Sequence, residues 1–181
     1  MESGFKVTQN SILPEVGIIE SDSFSDHRGK IYTTYRQQNF GSLGLPEFTH
    51  DKIVLSRKNV LRGIHGDYKT FKLVTCYHGS VEQVVVDCRQ DSKNYKKWTK
   101  FSLYGGSGES ILIPPGFGNA FLVTGNEDAV YNYKLAYDGR YLDADEQFTY
   151  AWNDTSIGIN WSNKEPILSI RDGLCNFVLS F

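Results

Sequence analysis

The chain has 181 residues, 40% hydrophobic and 22% charged, with a net charge of −2. This supports one packed domain and excludes wholesale disorder; no run nears the ~18 apolar residues of a membrane span, and the near-neutral balance gives no field for capturing nucleic acid. An aromatic share of 14%, with 17 Gly but only 5 Pro, is the composition of a β-rich chain with tight turns.

Met1–Asn10 carries Glu2, Lys6 and Gln9 and lacks an apolar signal core, which points away from export. Strands are predicted at Val16–Glu20 and Lys30–Arg36, the second after an Asp26-His27-Arg28-Gly29 turn. Gln37–Leu43 is the best helix candidate, ended by Gly44 and Pro46. Further strands follow at Lys52–Ser56, Val60–His65, Thr70–Tyr77, Ser80–Cys88, Trp98–Tyr104, Ser110–Ile113, Ala120–Thr124 and Ala129–Tyr137. Turn residues such as His78-Gly79 and Gly105-Gly106-Ser107-Gly108 punctuate them, and Ile113-Pro114-Pro115-Gly116-Phe117-Gly118-Asn119 reads as a rigid turn. Short strands at a spacing of roughly 8–12 residues with few helices give an all-β sandwich or barrel. We expect one domain over 1–181, with 140–181 as a C-terminal segment wrapping the barrel.

Three cysteines, Cys76, Cys88 and Cys175, cannot all pair within one chain, and none forms a Cys-x-x-Cys pair. Cys76 and Cys88 lie in apolar β runs and read as buried, reduced thiols, which places the chain in the cytoplasm. The four histidines, His27, His50, His65 and His78, include no His-x-His pair, so no His-rich metal site is expected.

Strand alternation puts Lys72 on one face with Val74 and Cys76, groups His65 with Leu61 and Gly63, and groups Tyr131, Tyr133 and Leu135. If the sheet closes, Lys72, His65 and Tyr133 become polar groups on the inner faces of neighbouring strands, the pattern of a site rather than of scattered core polar residues.

Phe24-x-Asp26-x-Arg28-Gly29, Val60-Leu61-Arg62-Gly63-Ile64-His65, Lys72-Leu73-Val74 and Val84-Val85-Val86-Asp87-x-Arg89-x-x-Ser92 follow one another in order. Ile113-Pro114-Pro115-Gly116-Phe117, Tyr133-Lys134, Trp152-Asn153-Asp154, Ile157-Gly158-Ile159, Trp161 and Leu168-Ser169-x-x-Asp172 continue the series. Over about residues 15 to 172 the chain resembles the nucleotide-sugar 3,5-epimerases. His65-Gly66-Asp67, Lys72–Cys76, Tyr133–Tyr137 and Gln147–Asp154 are similar to the branch acting on GDP-linked 4-keto-heptoses in bacterial capsule synthesis.

The resemblance implies a cupin (jelly-roll) fold, a homodimer and no metal or organic cofactor. It implies His65 as base, with Asp172 holding its second ring nitrogen, Tyr133 as acid, and Lys72 stabilising an oxyanion at O4 of a 4-keto sugar. Histidine suits the first role because its ordinary pKa lies near neutrality. A diphosphate brought to a chain of net charge −2 needs local cations. Arg28, Arg62 and Lys52 are the main candidates, with Arg57 and Lys69; the resemblance implies that Arg28 acts across the dimer. His50, Asp67 and Asn119 complete the expected substrate contacts, and Trp98 or Tyr137 offers a stacking face for a base. Asn119 stands where rhamnose-pathway relatives carry a His, and an amide cannot titrate, so inversion at both C3 and C5 or at C3 alone stays open. The reading is thus a GDP-4-keto-heptose 3- or 3,5-epimerase; the alternatives are a dTDP-4-keto-6-deoxyhexose 3,5-epimerase, a 3,4-ketoisomerase, or a non-catalytic sugar-binding cupin.

Overall fold

The apolar runs form antiparallel strands in a computed structural model that describes residues 4–174. In chain order these are β1 (Phe5–Gln9), β2 (Gly17–Ser21), β3 (Ser23–Asp26), β4 (Gly29–Tyr32), helix α1 (Gln37–Ser42), β5 (His50–Ser56), β6 (Leu61–Gly66) and β7 (Phe71–His78). There follow β8 (Ser80–Asp87), β9 (Trp98–Tyr104), β10 (Glu109–Ile113), β11 (Phe117–Val123), β12 (Ala129–Ala136), β13 (Phe148–Thr149) and helix α2 (Ile170–Leu174). Cys175 lies outside the described residues. Among the described residues no helix is long and apolar enough to cross a membrane.

Two sheets face each other as a jelly roll. One runs β1-β2-β10-β7-β12-β5 and the other β13-β6-β11-β8-β9, while β3 and β4 form a separate hairpin. Between the sheets lies a core that includes Val74, Cys76, Val81, Val85, Ile111, Phe117, Phe121 and Tyr131. The outer face of the second sheet is also covered. Its Leu61, Ile64, Val84, Val86, Ala120 and Leu122 pack under Phe148, Tyr150, Ile157, Trp161 and Leu168 of the C-terminal segment. That double covering is why β8 and β11 read as nearly unbroken apolar runs instead of alternating ones. The outer face of the first sheet meets α1 through Phe40, whose ring lies 4.9–6.0 Å edge-on from Phe5, Tyr35 and Phe48. Much of the aromatic load is therefore a packing load.

Several elements differ from the sequence reading, among them the unforeseen short strands β3 and β13. β1 forms at Phe5–Gln9 against β2, although its side chains are mostly exposed. The strand expected over Lys30–Arg36 stops at Tyr32. The turn at Pro114-Pro115-Gly116 ends earlier than expected, so Phe117, Gly118 and Asn119 already pair with β8. The short α2 has too few residues to show a period, though it carries Asp172.

The most consequential difference is in β6. Simple alternation groups His65 with Leu61, yet Leu61 packs in the outer cluster while His65 faces inward. Asn119 pairs with His65 and Phe121 with Arg62, so two steps on β11 oppose three on β6. The extra residue is a bulge, which reverses the face of everything beyond it. It brings Arg62 and His65 to the same side. Gly63 sits at the bulge with φ +127°, and a Cβ there would lie 2.4 Å from that of Ala120.

The Asp87-x-Arg89-x-x-Ser92 motif is scaffold. The buried Asp87 carboxylate accepts from the Arg89 backbone N–H (3.0 Å), Arg89 Nε (2.9 Å) and Nη2 (2.7 Å), and from Ser92 Oγ (2.6 Å). The Arg89 guanidinium stacks 4.4 Å above the Phe117 ring. Burial works against the Asp87 charge, but these donors outweigh it and hold the carboxyl below its usual range. Asp87→Ala should lower stability by about 3 kcal/mol, or roughly 6–12 °C in Tm by calorimetry, with the specific activity of the folded fraction intact.

Candidate active site

At one end of the sandwich the inner faces turn polar around a cavity of ≈ 180 Å³. β7 supplies Lys72, β12 Tyr133 and Leu135, β5 Lys52, β6 Arg62 and His65, and β11 Asn119. Register explains the convergence, since Tyr133 pairs with Val74 on one side and Lys52 on the other, Leu135 pairs with Lys72, and Asn119 pairs with His65. Tyr141, Asp143, Ala144, Gln147 and Arg171 complete the wall from the C-terminal segment. Lys72 and Asn119 are buried, whereas Asp143 and Ala144 are exposed at the rim.

His65 Nε2 lies 2.6 Å from Oδ1 of Asp172, which sits in α2, 107 residues along the chain. The Ser169 hydroxyl donates to the other carboxylate oxygen at 2.8 Å. Burial opposes the Asp172 charge, but the contacts with His65 and Ser169 and the Arg171 charge hold its carboxyl below the ordinary range. A carboxylate so held fixes the tautomer and orientation of the ring, leaving Nδ1 for another partner.

Lys72 is 6% exposed, and its Nζ donates to the His65 carbonyl at 3.3 Å. Burial, with the nearby Arg171 and Lys52 charges, pushes its amine down to about 8, against the pull of Asp67. The Tyr133 phenol is pushed above its ordinary range by burial, partly offset by a hydrogen bond from Asn119 and by the Arg62 charge. Asn119 Nδ2 donates to the Tyr133 hydroxyl at 3.3 Å.

The expected anion-binding residues divide. Lys52 and Arg62 line the cavity. Lys52 Nζ lies 3.3 Å from the Tyr141 hydroxyl and 4.5 Å from its ring centroid, and Arg62 Nε donates to Ser56 Oγ at 2.9 Å. Arg57 and Lys69 are exposed and do not line it. Arg28 lies on the β3–β4 hairpin, ion-paired with Asp26 at 2.6 Å, beside Phe24 and Ile31. Asp67 is off the wall as well. Its Oδ1 accepts from the Lys69 and Thr70 backbone N–H groups at 2.8 and 2.7 Å, so it caps the turn into β7 and reaches the cavity only through its charge on Lys72. His50 stands behind the wall, its Nδ1 3.1 Å from the Tyr137 hydroxyl and its ring 5.0 Å from that of Tyr141. Trp98 packs in the outer cluster and donates to the Ile157 carbonyl at 3.0 Å, away from the cavity.

Sequence reasoning missed Arg171, Tyr141 and Asp143. Arg171 donates to Thr149 Oγ1 at 2.6 Å and to the Gln147 carbonyl at 3.3 Å. Its signal was its place beside Asp172. Among the described residues no three His, Cys, Asp or Glu side chains gather as a metal site would require. Cys76 and Cys88 are buried and unpaired, and burial pushes their thiols up to about 11 and about 12.

Residues 10–178 match the family model described as dTDP-4-dehydrorhamnose 3,5-epimerase. The dTDP-4-dehydrorhamnose 3,5-epimerase of Escherichia coli K12 is 37% identical over 166 residues, 88% of each chain. The chain belongs to this nucleotide-sugar 3,5-epimerase family. The family is one of isomerase-class enzymes. Among solved structures, the dTDP-6-deoxy-D-glucose-3,5-epimerase of Legionella pneumophila, in complex with dTDP-4-keto-L-rhamnose, superposes with a TM-score of 0.86. It is 27% identical, with 96% of this chain and 94% of that one covered. A 3'-monoepimerase from Streptomyces bikiniensis in complex with dTDP-quinovose gives 0.82 at 26% identity, covering 91% and 84%. These relatives carry dTDP-linked sugars in their descriptions, so the comparisons favour a dTDP-linked sugar over the GDP-linked heptose expected from the sequence.

Proposed function

We propose that the protein epimerises a dTDP-linked 4-keto-6-deoxy sugar, inverting C3, with or without C5, through an enolate. The observation that carries this reading is the convergence of His65, coupled to Asp172, with Tyr133 and Lys72 on one cavity. The 4-keto group acidifies the adjacent C–H bonds. His65 takes the proton, the electron pair moves onto O4, and the Lys72 ammonium stabilises the charge that develops there. Tyr133 gives a proton to the opposite face of the same carbon, which inverts it. The carbonyl then re-forms, and solvent restores both residues.

A cavity of ≈ 180 Å³ is below the ~300–1,000 Å³ of pockets that enclose a drug-sized ligand. It suits the sugar ring, with the nucleotide lying beyond it. Lys52, Arg62 and Arg171 are the cations available to the diphosphate. Arg28 would serve from a second copy of the chain. Exposed Phe24 and Ile31 on the hairpin, and Ile53 and Leu55 on edge strand β5, offer apolar surface for such a pairing. Asn119, whose amide cannot titrate, supports inversion at C3 alone, whereas the 3,5-epimerases among the relatives support inversion at both carbons. A GDP-linked 4-keto-heptose is the second reading, favoured by the segments carrying Lys72, Tyr133 and Gln147, all of which reach the cavity.

The test is hydrogen exchange. Incubated in D2O with dTDP- and GDP-linked 4-keto sugars, the protein should place deuterium at C3, faster with the dTDP-linked compound. NMR of the recovered sugar reports the carbon. Faster exchange with GDP-linked heptose would select the second reading, and no exchange with either would exclude epimerisation.

A further inference from the structure

Behind Asn119 runs a chain of buried hydrogen bonds that the proposed mechanism does not use. The Tyr131 hydroxyl donates to Gln83 Oε1; Gln83 Nε2 donates to Asn119 Oδ1 at 2.7 Å; and Asn119 Nδ2 donates to the Tyr133 hydroxyl at 3.3 Å. Tyr131 and Gln83 are fully buried, and Asn119 is 5% exposed. Gln83 is an amide in an otherwise apolar layer, between Val81 and Val85 on the inner face of β8 and paired with Phe121. A buried polar group in such a place is held only by satisfied bonds.

The chain has a direction, and Gln83 sets it. Its amide nitrogen also donates to the Val84 carbonyl at 3.0 Å. Turned over, the amide would set its own oxygen against that carbonyl, so Nε2 must face Asn119 and Oε1 must face Tyr131. Asn119 Oδ1 is then fixed as an acceptor and its Nδ2 is turned to Tyr133. The Tyr133 oxygen receives a hydrogen bond on that side, so its own proton is directed elsewhere. Reversed, the same chain would make Tyr133 donate its proton to Asn119 and withhold it from substrate.

We propose that Gln83 is a positioning residue that, through Asn119, orients the Tyr133 hydroxyl so that its proton is presented to the cavity. This rests on Tyr133 being the proton donor of the preceding section. It also changes the part played by Asn119, whose amide is engaged chiefly by Gln83 and Tyr133. Tyr131 holds the far end, its ring stacked on Phe121 with centroids 4.1 Å apart.

The experiment compares two rates in D2O on one 4-keto nucleotide sugar: deuterium exchange at C3, which needs the base, and net inversion, which also needs the donor. Tyr133→Phe sets the scale by lowering the ratio of inversion to exchange. Gln83→Met, similar in length but without the amide, should lower that ratio roughly 5- to 10-fold, with exchange and KM near wild type. In an Asn119→Ala background it should have no further effect on the ratio. A merely structural role would reduce both rates together, and that outcome, or an unchanged ratio, overturns the inference. Tyr131→Phe removes one hydroxyl and covers the case in which Gln83→Met fails to fold; it should lower the ratio about 2- to 3-fold, and no change again overturns the inference. If Tyr133→Phe itself leaves the ratio unchanged, the donor reading fails. If Tyr133→Phe lowers it and Gln83→Met does not, only the role of Gln83 fails.

Discussion

His65→Asn should abolish deuterium exchange at the sugar carbons, with a loss of about 10²–10⁴-fold, while nucleoside diphosphate still binds. The expectation comes from how the ring is held. Nε2 is engaged with Asp172 Oδ1 at 2.6 Å, Asp172 is 2% exposed, and the carboxylate is further fixed by Ser169. Only Nδ1 remains to meet a substrate proton. The asparagine amide overlays the Nδ1 side of the ring and falls short of Asp172, whose carboxylate keeps the hydrogen bond from Ser169 and the neighbouring Arg171 charge, so the fold persists. It cannot accept and carry a proton near neutral pH. The cavity cations Lys52, Arg62 and Arg171 are untouched, so nucleoside diphosphate binding measured by calorimetry should stay within a few-fold of wild type. Exchange within tenfold of wild type in a folded His65→Asn protein would remove His65 from the role of base.

The strands could be read from the chain because β-branched and aromatic runs ended by Gly, Asn and Asp carry their own boundaries; β9 begins at Trp98 and ends at Tyr104 as expected. The faces were legible only where alternation is unbroken. Over Phe71–Cys76 of β7 and Tyr131–Ala136 of β12 it is, the one register shift of that pair falling outside them at Val130/Tyr131, so Lys72 and Tyr133 fall on the inner side as the pattern implies. In β6 the bulge at Gly63 reverses it, and no pattern of period two can show that Arg62 and His65 share a wall. Asp172 comes from α2, a helix of five residues. Its contact with His65 spans 107 residues, beyond any local signal; only the resemblance named it. Asp67 shows the opposite error. Its place after His65-Gly66 suggested chemistry, yet an Asp followed two and three residues later by free backbone N–H groups is a turn cap first. Gln83 was hidden because an amide within Val81-Glu82-Gln83-Val84-Val85 looks like any polar interruption of a strand; its meaning depends on Tyr131 and Asn119, which only the folded sheet brings beside it.

Lys72→Met should lower kcat by about 10²–10³-fold, the usual loss when one well-aimed donor to a developing oxyanion is removed, and should at the same time raise the Tm at pH 7. The two effects share a cause. Lys72 sits on the inner face of β7 at 6% exposure, and burial, helped by the Arg171 and Lys52 charges, pushes its amine down to about 8 from an ordinary value of 10.5. A lowered amine pKa means that the folded protein holds this proton less tightly than the unfolded chain. Between about pH 8 and 10.5 the unfolded chain binds more protons at this position, so the stability contributed there rises with pH, and below that window the buried charge weakens the fold. Methionine keeps the length of the stem and removes the charge. The catalytic consequence has the opposite sign. The ammonium that meets O4 is present below about 8 and is lost as pH rises through it. kcat/KM, which reports the free enzyme, should therefore fall on a basic limb near pH 8 in the wild type. Lys72→Met should lack that limb at its low residual rate, and Lys72→Arg, whose guanidinium stays charged, should move it upward even if the larger head reduces the plateau. Thermal melts and pH–rate profiles on the three proteins check both halves. A Lys72→Met protein that is both slower and less stable, with the wild-type basic limb intact, would mean that the lysine serves the fold and that the O4 charge is stabilised by another group.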